Sequence, residues 1–257
     1  MTTLLHSLRY QIQNDLHNRF VGSLLGAYWA VINPLLQVLI YVFVVAVVFR
    51  AKLGGTSTPF EYALFCLSGL GSWLAFQEGL NSSATSITRN AAIVKNTRFP
   101  PQLFPVSAVL CSLIPLVSSY GMLLILRGID GHWPGVALLA LPVVVVTQVL
   151  LAFGVGLILS VCGVLFRDIL QILPILLQLL MLATPVLYER QDLPSGLQFL
   201  SLINPLYYLI DAYRQILFYG AWPNFWGLAA VAVLGIVLTW VGATLFRIAR
   251  GYFEALV

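Results

Sequence analysis

Residues 136–166 read VALLALPVVVVTQVLLAFGVGLILSVCGVLF, an apolar run without a single Asp, Glu, Lys or Arg. A helix needs about 20 such residues to cross a hydrocarbon core. This stretch is therefore a transmembrane helix. It is also overlong, which predicts that it tilts, bends or extends beyond the bilayer.

Outward from it, five more stretches share this character: Ala27–Phe49, Tyr62–Leu80, Leu103–Leu126, Ile169–Leu187 and Phe225–Phe246. Of 257 residues, 60% are hydrophobic and only 9% charged, and the mean hydropathy is +0.94. Soluble domains carry roughly 25% charged residues. The fold expected is all-α and integral to the membrane, with six transmembrane helices. No repeat, low-complexity tract or linker divides it, so residues 1–257 read as one domain.

Three segments outside the spans have their own patterns. Leu5, Leu8, Ile12, Leu16 and Phe20 recur at spacings of three and four, with Arg9, Gln13 and Asn14 between them. That is the stripe of an amphipathic helix over residues 1–22, and beside a span it should lie in the cytoplasmic interface. With His6, Arg9, Asp15, His17 and Arg19 the segment lacks the apolar core of a signal peptide. Residues 81–99 are polar and basic and read as a cytoplasmic loop. Within it Ile87, Ala91, Ala92 and Val94 form a short helix carrying Arg89 and Lys95, stopped by Pro100 and Pro101. The loop is either a docking surface for a soluble partner or a solvated basic turn.

Residues 188–224 hold two apolar pieces, Gly196–Ile203 and Leu206–Tyr219, divided by Asn204-Pro205. Neither is a comfortable span, and the second carries Asp211 and Arg214. Two short re-entrant helices dipping into the outer leaflet fit better, and such backbone must be buried in protein or line a cavity. The region is a candidate gate.

With both termini cytoplasmic, Arg9, Arg19, Arg89, Lys95, Arg98, Arg167, Arg247 and Arg250 lie inside. Arg50, Lys52, Arg127, Arg190 and Arg214 then lie outside. The inside excess follows the positive-inside rule. The net charge of +4 comes from scattered Lys and Arg, which suits loops facing anionic lipid rather than a nucleic acid.

Several chemistries are excluded or disfavoured. No phosphate-binding G-x-x-x-x-G-K-[ST] loop and no H-E-x-x-H occurs. His6, His17 and His132 fall outside the spans, so an intramembrane Ser–His protease has no base. Cys66, Cys111 and Cys162 lie in apolar stretches without metal spacing and read as packing residues. Within the spans Glu78 suits a snorkelling role, and Asn33, Gln37, Gln148 and Gln178 are neutral. An ion-coupled pump needs intramembrane carboxylates or histidines, which are lacking.

Aromatic and small residues remain. Trp29, Tyr41, Phe43, Phe65, Trp73 and Phe76 fall in or beside the first two spans. They are either interfacial anchors or the lining of a lumen along which a sugar polymer slides over many weak sites. Ser68-Gly69-Leu70-Gly71-Ser72 supplies small residues for helix contact, and Gly154, Gly156, Ser160 and Gly163 form a second small-residue face. Arg167-Asp168 is either a charge pair holding a short turn, or a site where the Arg167 guanidinium grips a pyrophosphate or an acidic partner.

Five motifs recur in a telling order. Arg19-Phe20 with Leu25-Gly26-Ala27-Tyr28-Trp29 and Asn33-Pro34 opens the chain, and Arg98-Phe99-Pro100-Pro101 precedes the third span. Phe166-Arg167-Asp168 follows the fourth, then Thr184-Pro185-Val186-Leu187-Tyr188 and Asn204-Pro205-Leu206-Tyr207-Tyr208. The set resembles the membrane subunits of polysaccharide ABC exporters, which export O-antigen, capsule or teichoic acid chains.

The resemblance implies a channel-forming permease, not an enzyme, that moves a lipid-linked glycan across a bacterial inner membrane. It implies a homodimer with two copies of a P-loop nucleotide-binding subunit, which holds ATP and Mg; this chain would hold no cofactor or metal. It implies that residues 81–99 supply a coupling helix, with Ile87, Arg89, Ala91, Ile93, Lys95 and Arg98 at the ATPase contact and the N-terminal helix as a second contact. It further implies that Tyr188, Asn204, Pro205, Tyr207, Tyr208 and Arg214 belong to two external gate helices, and that the first and fifth spans bound a lateral opening. A smaller lipid-like or oligosaccharide cargo is the alternative within this class, and an ion-coupled secondary transporter the alternative outside it.

Overall fold

Thr58 and Glu61 start the central helix, α3 (Pro59–Arg89), with a reciprocal capping box. Thr58 Oγ1 accepts from the Glu61 N–H at 3.2 Å, and Glu61 Oε2 accepts from the Thr58 N–H at 2.9 Å. Pro59 fits next because the first helical position needs no donor. From Leu64 to Phe76 every residue is buried, so the other helices surround this one. The computed structural model describes residues 2–19, 25–44, 58–96, 99–196 and 198–256, and among them every regular element is helical.

α3 continues beyond Leu80, so most of the expected loop over residues 81–99 is helix. Residues 81–89 are helix because their polar side chains satisfy themselves within it. Thr85 Oγ1 donates to the Asn81 carbonyl at 3.2 Å, Ser86 Oγ to that of Ser83 at 2.7 Å and Thr88 Oγ1 to that of Thr85 at 3.0 Å. Only at Asn90 does the chain turn, into the short α4 (Ala91–Asn96).

The third apolar stretch is two helices, α5 (Leu103–Cys111) and α6 (Leu113–Ile129), meeting at Ser112. Pro115 cannot donate to the Cys111 carbonyl and its ring crowds that group, which breaks the helix. The overlong fourth stretch begins as a 3-10 helix, Gly135–Ala140, before α7 (Leu141–Leu165). The fifth is shorter than expected. α8 spans Ile169–Ala183, and Thr184 is extended at ψ 135 because Pro185 disfavours a helical residue before it. Two short helices follow, α9 (Gln198–Ile203) and α10 (Pro205–Leu217), divided at Asn204. α11 runs Phe225–Leu256, past the expected end at Phe246.

Leu103–Ile129, Gly135–Leu165 and Phe225–Ala249 are long and apolar enough to cross a membrane. α2 (Trp29–Val42) and α8 are apolar and shorter, and residues 45–57, which include the rest of the first expected span, lie outside the described residues. α1 (Thr2–Arg19) is the expected N-terminal helix, but it packs along α5 with Gln11 and Asp15 buried and Leu8 and Ile12 half-buried. Its partner is this chain's own bundle. Phe20 and the side chains of Leu5 and Leu16 lie outside the described residues.

Small residues bring the long helices together. A Cβ on Gly154 would meet the Thr239 backbone nitrogen of α11 at 2.7 Å, and one on Gly242 would meet the Gly154 carbonyl at 3.0 Å. Gly156 and Gly163 sit instead against Ser83 and Ala84 of α3. The small-residue set on α7 is thus two faces, both used within one chain. At one end of the bundle Ile87, Val94, Phe104, Val164, Phe246 and Phe253 form a second apolar cluster. At the other, the Tyr62 hydroxyl donates to the Leu187 carbonyl at 2.5 Å and Arg127 donates to the Phe218 carbonyl.

Gly154→Leu should cost about 1–3 kcal/mol by overpacking the α7–α11 seam. It should lower the midpoint of heat-induced aggregation in detergent, whereas Gly121→Leu on α6, with nothing within 4 Å, should leave that midpoint nearly unchanged.

Candidate functional site

At the end of the bundle that holds α4, one buried carboxylate joins three elements. Asp15 of α1 accepts from Ser107 Oγ of α5 at 2.5 Å, from Gln11 at 3.0 Å and from Arg89, the last residue of α3, at 3.3 Å. The Asp15 side chain is 5% exposed and that of Arg89 41%, so the ion pair is sealed on the acid's side and wet on the other. A buried carboxylate is tolerated only with such partners. Arg89 therefore leaves the corner of α3 tied to α1.

The expected coupling residues separate here. Ile87 is fully buried among the second cluster with Val94, so its side chain is unavailable to a partner. Ala92 and Lys95 are exposed on α4, while Ala91 and Ile93 are half-buried. Arg98 lies outside the described residues. Arg167 and Asp168 are both exposed in the α7–α8 turn, at the same end because Val164 belongs to that cluster. Among the described residues no ion pair links them.

The opposite end is organised by Arg214 of α10. Its side chain is buried, and its guanidinium lies 3.8 Å over the Phe65 ring and donates to the carbonyls of Val186 at 2.9 Å and Pro185 at 3.2 Å. These carbonyls are free because Pro185 ends α8. Gly69 permits the approach, since a Cβ there would meet the Val186 oxygen at 2.7 Å. Asn204 stitches the same corner. Its Nδ2 donates to Thr184 Oγ1 at 2.7 Å and its Oδ1 caps α10 by accepting from the Leu206 N–H at 3.0 Å.

Pro205 opens α10, and the Tyr207 and Tyr208 rings pack 5.4 Å apart. The Tyr208 hydroxyl donates to the Leu202 carbonyl at 3.0 Å, and that of Tyr188 to the Leu182 carbonyl at 2.7 Å. Just beyond α10, Tyr219 donates to Glu189 Oε1 at 3.0 Å. Burial, then the Glu189 carboxylate, push that phenol up to about 12, so it remains a donor. The expected gate residues thus form one connected corner. Sequence reasoning missed its receiving side, Tyr62, Phe65 and Gly69 of α3. The available signal was the isolated Arg214 itself, since a cation in an apolar segment requires acceptors.

The aromatic residues proposed to line a lumen do not share one surface. Phe65 and Trp73 are 0% and 1% exposed in the core, and Tyr41 packs partly against it. Trp29 and Phe43 are exposed. Phe65 serves as the ring beneath Arg214, and Trp73 donates its indole N–H to Gln77 Oε1 at 2.9 Å. A cleft of about 360 Å³ does open between α2, α3 and α6, with Trp29 on its wall and amide side chains around it.

Helices of span length, a sealed ion pair at one end and a buried arginine seat at the other define a helical membrane protein whose two ends differ in kind. The ABC-2 type transporter family matches residues 7–218, and the chain belongs to it. It is 32% identical over 244 residues to the O-antigen export system permease protein RfbA of Myxococcus xanthus, covering 94% of this chain and 92% of that protein. To RfbA of Klebsiella pneumoniae it is 29% identical over 234 residues, covering 91% and 88%. To the polysialic acid transport protein KpsM of Escherichia coli it is 24% identical over 234 residues, covering 91% and 89%. The chain is an integral membrane protein, and membership of this family implies an ATP-binding partner subunit.

Asp15→Ala should free α1 from α5 and raise hydrogen exchange at the α1 amides at least tenfold, a change of about 1.4 kcal/mol. Arg214→Leu should strand two buried carbonyls at about 1–3 kcal/mol each. Its effect should appear as a lower unfolding midpoint in detergent and as faster exchange in residues 184–188.

Proposed function

We propose that this chain is the channel-forming subunit of an ATP-driven exporter that moves a lipid-linked polysaccharide, of O-antigen or capsule type, across a bacterial inner membrane. The observation that carries this reading is similarity over nearly the whole chain to permeases named for O-antigen export and to a polysialic acid transport protein. Residues 1–257 act as one permease domain, with six spans: α2 with the residues that follow it, α3, α5 with α6, Gly135–Leu165, α8 and α11. Both termini are cytoplasmic. Support comes from the bundle's ends, since α1, the Asn90 corner, Arg167 and Phe253 of α11 gather at one of them.

The chain works as a homodimer with two copies of a P-loop subunit, which binds ATP and Mg and carries the hydrolysis, leaving this chain without a cofactor or catalytic role. α8 supports the pairing: Ile172, Ile175, Leu176, Leu179 and Leu182 form an exposed apolar row that the described residues leave uncovered. The ATPase contact lies within residues 81–99. Its accessible part is α4 through Ala92 and Lys95, with the half-buried Ala91 and Ile93 beside them; Arg98 belongs to the same contact, while Arg89 acts through Asp15. Residues 1–22 form the interfacial helix beside it. Arg167 meets the pyrophosphate of the lipid carrier or an acidic patch of the partner. Residues 188–224, with α9 and α10 as re-entrant helices, form the external gate, and the Arg214 seat holds it shut.

The first test is a mild-detergent pull-down of the tagged chain from native membranes. A P-loop ATPase should co-purify in stoichiometric amount and be lost from the Ala92→Arg, Lys95→Glu double variant while the permease stays folded. Deleting the chain should abolish surface glycan and leave lipid-linked glycan inside. Normal surface glycan in the deletion strain, or no ATPase even after cross-linking in intact membranes, overturns the reading.

A further inference from the structure

The cleft of about 360 Å³ between α2, α3 and α6 has two matching walls. Trp29, Asn33 and Gln37 recur every fourth residue on α2, and Gln77 and Asn81 do so on α3 one turn beyond Trp73. Side chains four apart share a helix face. Both walls therefore present amides, in the sequence order tryptophan, amide, amide. Trp73 is in the core, but by occupying Gln77 Oε1 it fixes that side chain with its NH₂ group left to donate. Among the described residues no hydrogen bond engages the side-chain amides of Asn33, Gln37 or Asn81.

Unbonded amides cannot face hydrocarbon cheaply. The cleft is therefore wet or filled by a ligand that supplies the missing bonds. Its lining selects among ligands. Arg89 at the rim is already paired with Asp15, so among the described residues that line the cleft no unpaired cation waits for an anion. Glu78, the cleft's carboxylate, accepts from Ser82 Oγ at 2.9 Å, and a single carboxylate makes a poor metal site. An acyl chain would strand the amides. An uncharged, hydroxyl-rich ring fits best, because a hydroxyl donates and accepts and an amide can do both to neighbouring hydroxyls. The exposed Trp29 ring offers such a molecule a face to stack on, and the volume lies within the range of small-molecule sites, roughly 300–1,000 Å³.

We infer that this amide-walled cleft is a subsite for sugar rings of the exported glycan, held by Asn33, Gln37, Gln77 and Asn81 and stacked on Trp29. The inference rests on the export reading above. It assigns sugar contact to neutral amides rather than to the core aromatics Phe65 and Trp73. Amides suit a moving cargo, since each bond is weak and is replaced by the next ring or by water.

The test uses whole cells and the native cargo. The chain carrying Asn33→Cys, or separately Gln37→Cys, is expressed in cells that make the glycan and in cells blocked in its synthesis. A small membrane-permeant maleimide is added, and labelling at that residue is followed by peptide mass spectrometry. Thiols react as thiolates, so labelling also reports water in the cleft. Labelling should be at least threefold slower where glycan is made, with His6→Cys, exposed on α1, labelled equally in both strains. Equal rates at both cleft positions, or no labelling at either in either strain, overturn the inference. Surface glycan is scored in a deletion strain alongside. If it requires this chain while the labelling is unchanged, the cleft assignment alone fails; if it does not, the export reading fails and the subsite with it.

Discussion

Pro185 ends α8 and leaves two carbonyls without helical partners inside packed protein, and the Arg214 guanidinium takes both of them. A bilayer core supplies no hydrogen bonds, so each polar group that enters it must find a partner within the chain. Much of the structure follows from this requirement. Gly69 has no side chain because Val186 and Arg214 occupy that space, and Phe65 gives up its place in any lumen to lie under the cation. Burial in packed protein makes the same demand of residues 81–89, whose Ser83 and Ala84 meet α7. A run of Ser and Thr that water could solvate as a loop is carried as helix, with its hydroxyls turned back on the preceding carbonyls.

What was legible in the sequence was what repeats locally. Apolar runs located the helices, and Asn204-Pro205 marked the division between α9 and α10, because an Asn that caps and a Pro that cannot donate carry their meaning within a few residues. Tertiary placement was less legible. Phe65, Trp73 and Trp29 are alike as aromatic residues in apolar segments, yet the first two are core and the third stands on a cleft. Only the packing of α3 on all sides distinguishes them, and no periodicity encodes it. Asp15 was similarly hidden. It sits on the margin of the apolar stripe of α1, seven residues after Leu8, where a carboxylate reads as solvated, and its partners Ser107 and Arg89 are 92 and 74 residues away.

α1 illustrates how a local reading finds a helix without finding everything it packs against. Its helix is where the stripe of Leu8 and Ile12 predicts. The buried face, however, includes Gln11 and Asp15, which a lipid interface would leave solvated. A polar contact to α5 and the end of α3 fixes the helix to protein. That attachment gives it a place in whatever motion the corner undergoes.

α3 connects the two ends. Its 31 residues span about 46 Å at the usual rise, which matches the full thickness of a bilayer with its headgroups. Arg89 at one end holds Asp15, and Phe65 and Gly69 near the other receive Arg214. Between them Gln77 and Asn81 face the cleft. α3 is unbroken throughout and buried on every side from Leu64 to Phe76, and it carries the Asn90 corner, the cleft wall and the arginine seat on one continuous helix. Pro34 in α2, the break at Ser112 and the early end of α8 interrupt the surrounding helices. Among the described residues, α3 is the one helix that reaches the corner, the cleft and the seat without such a break.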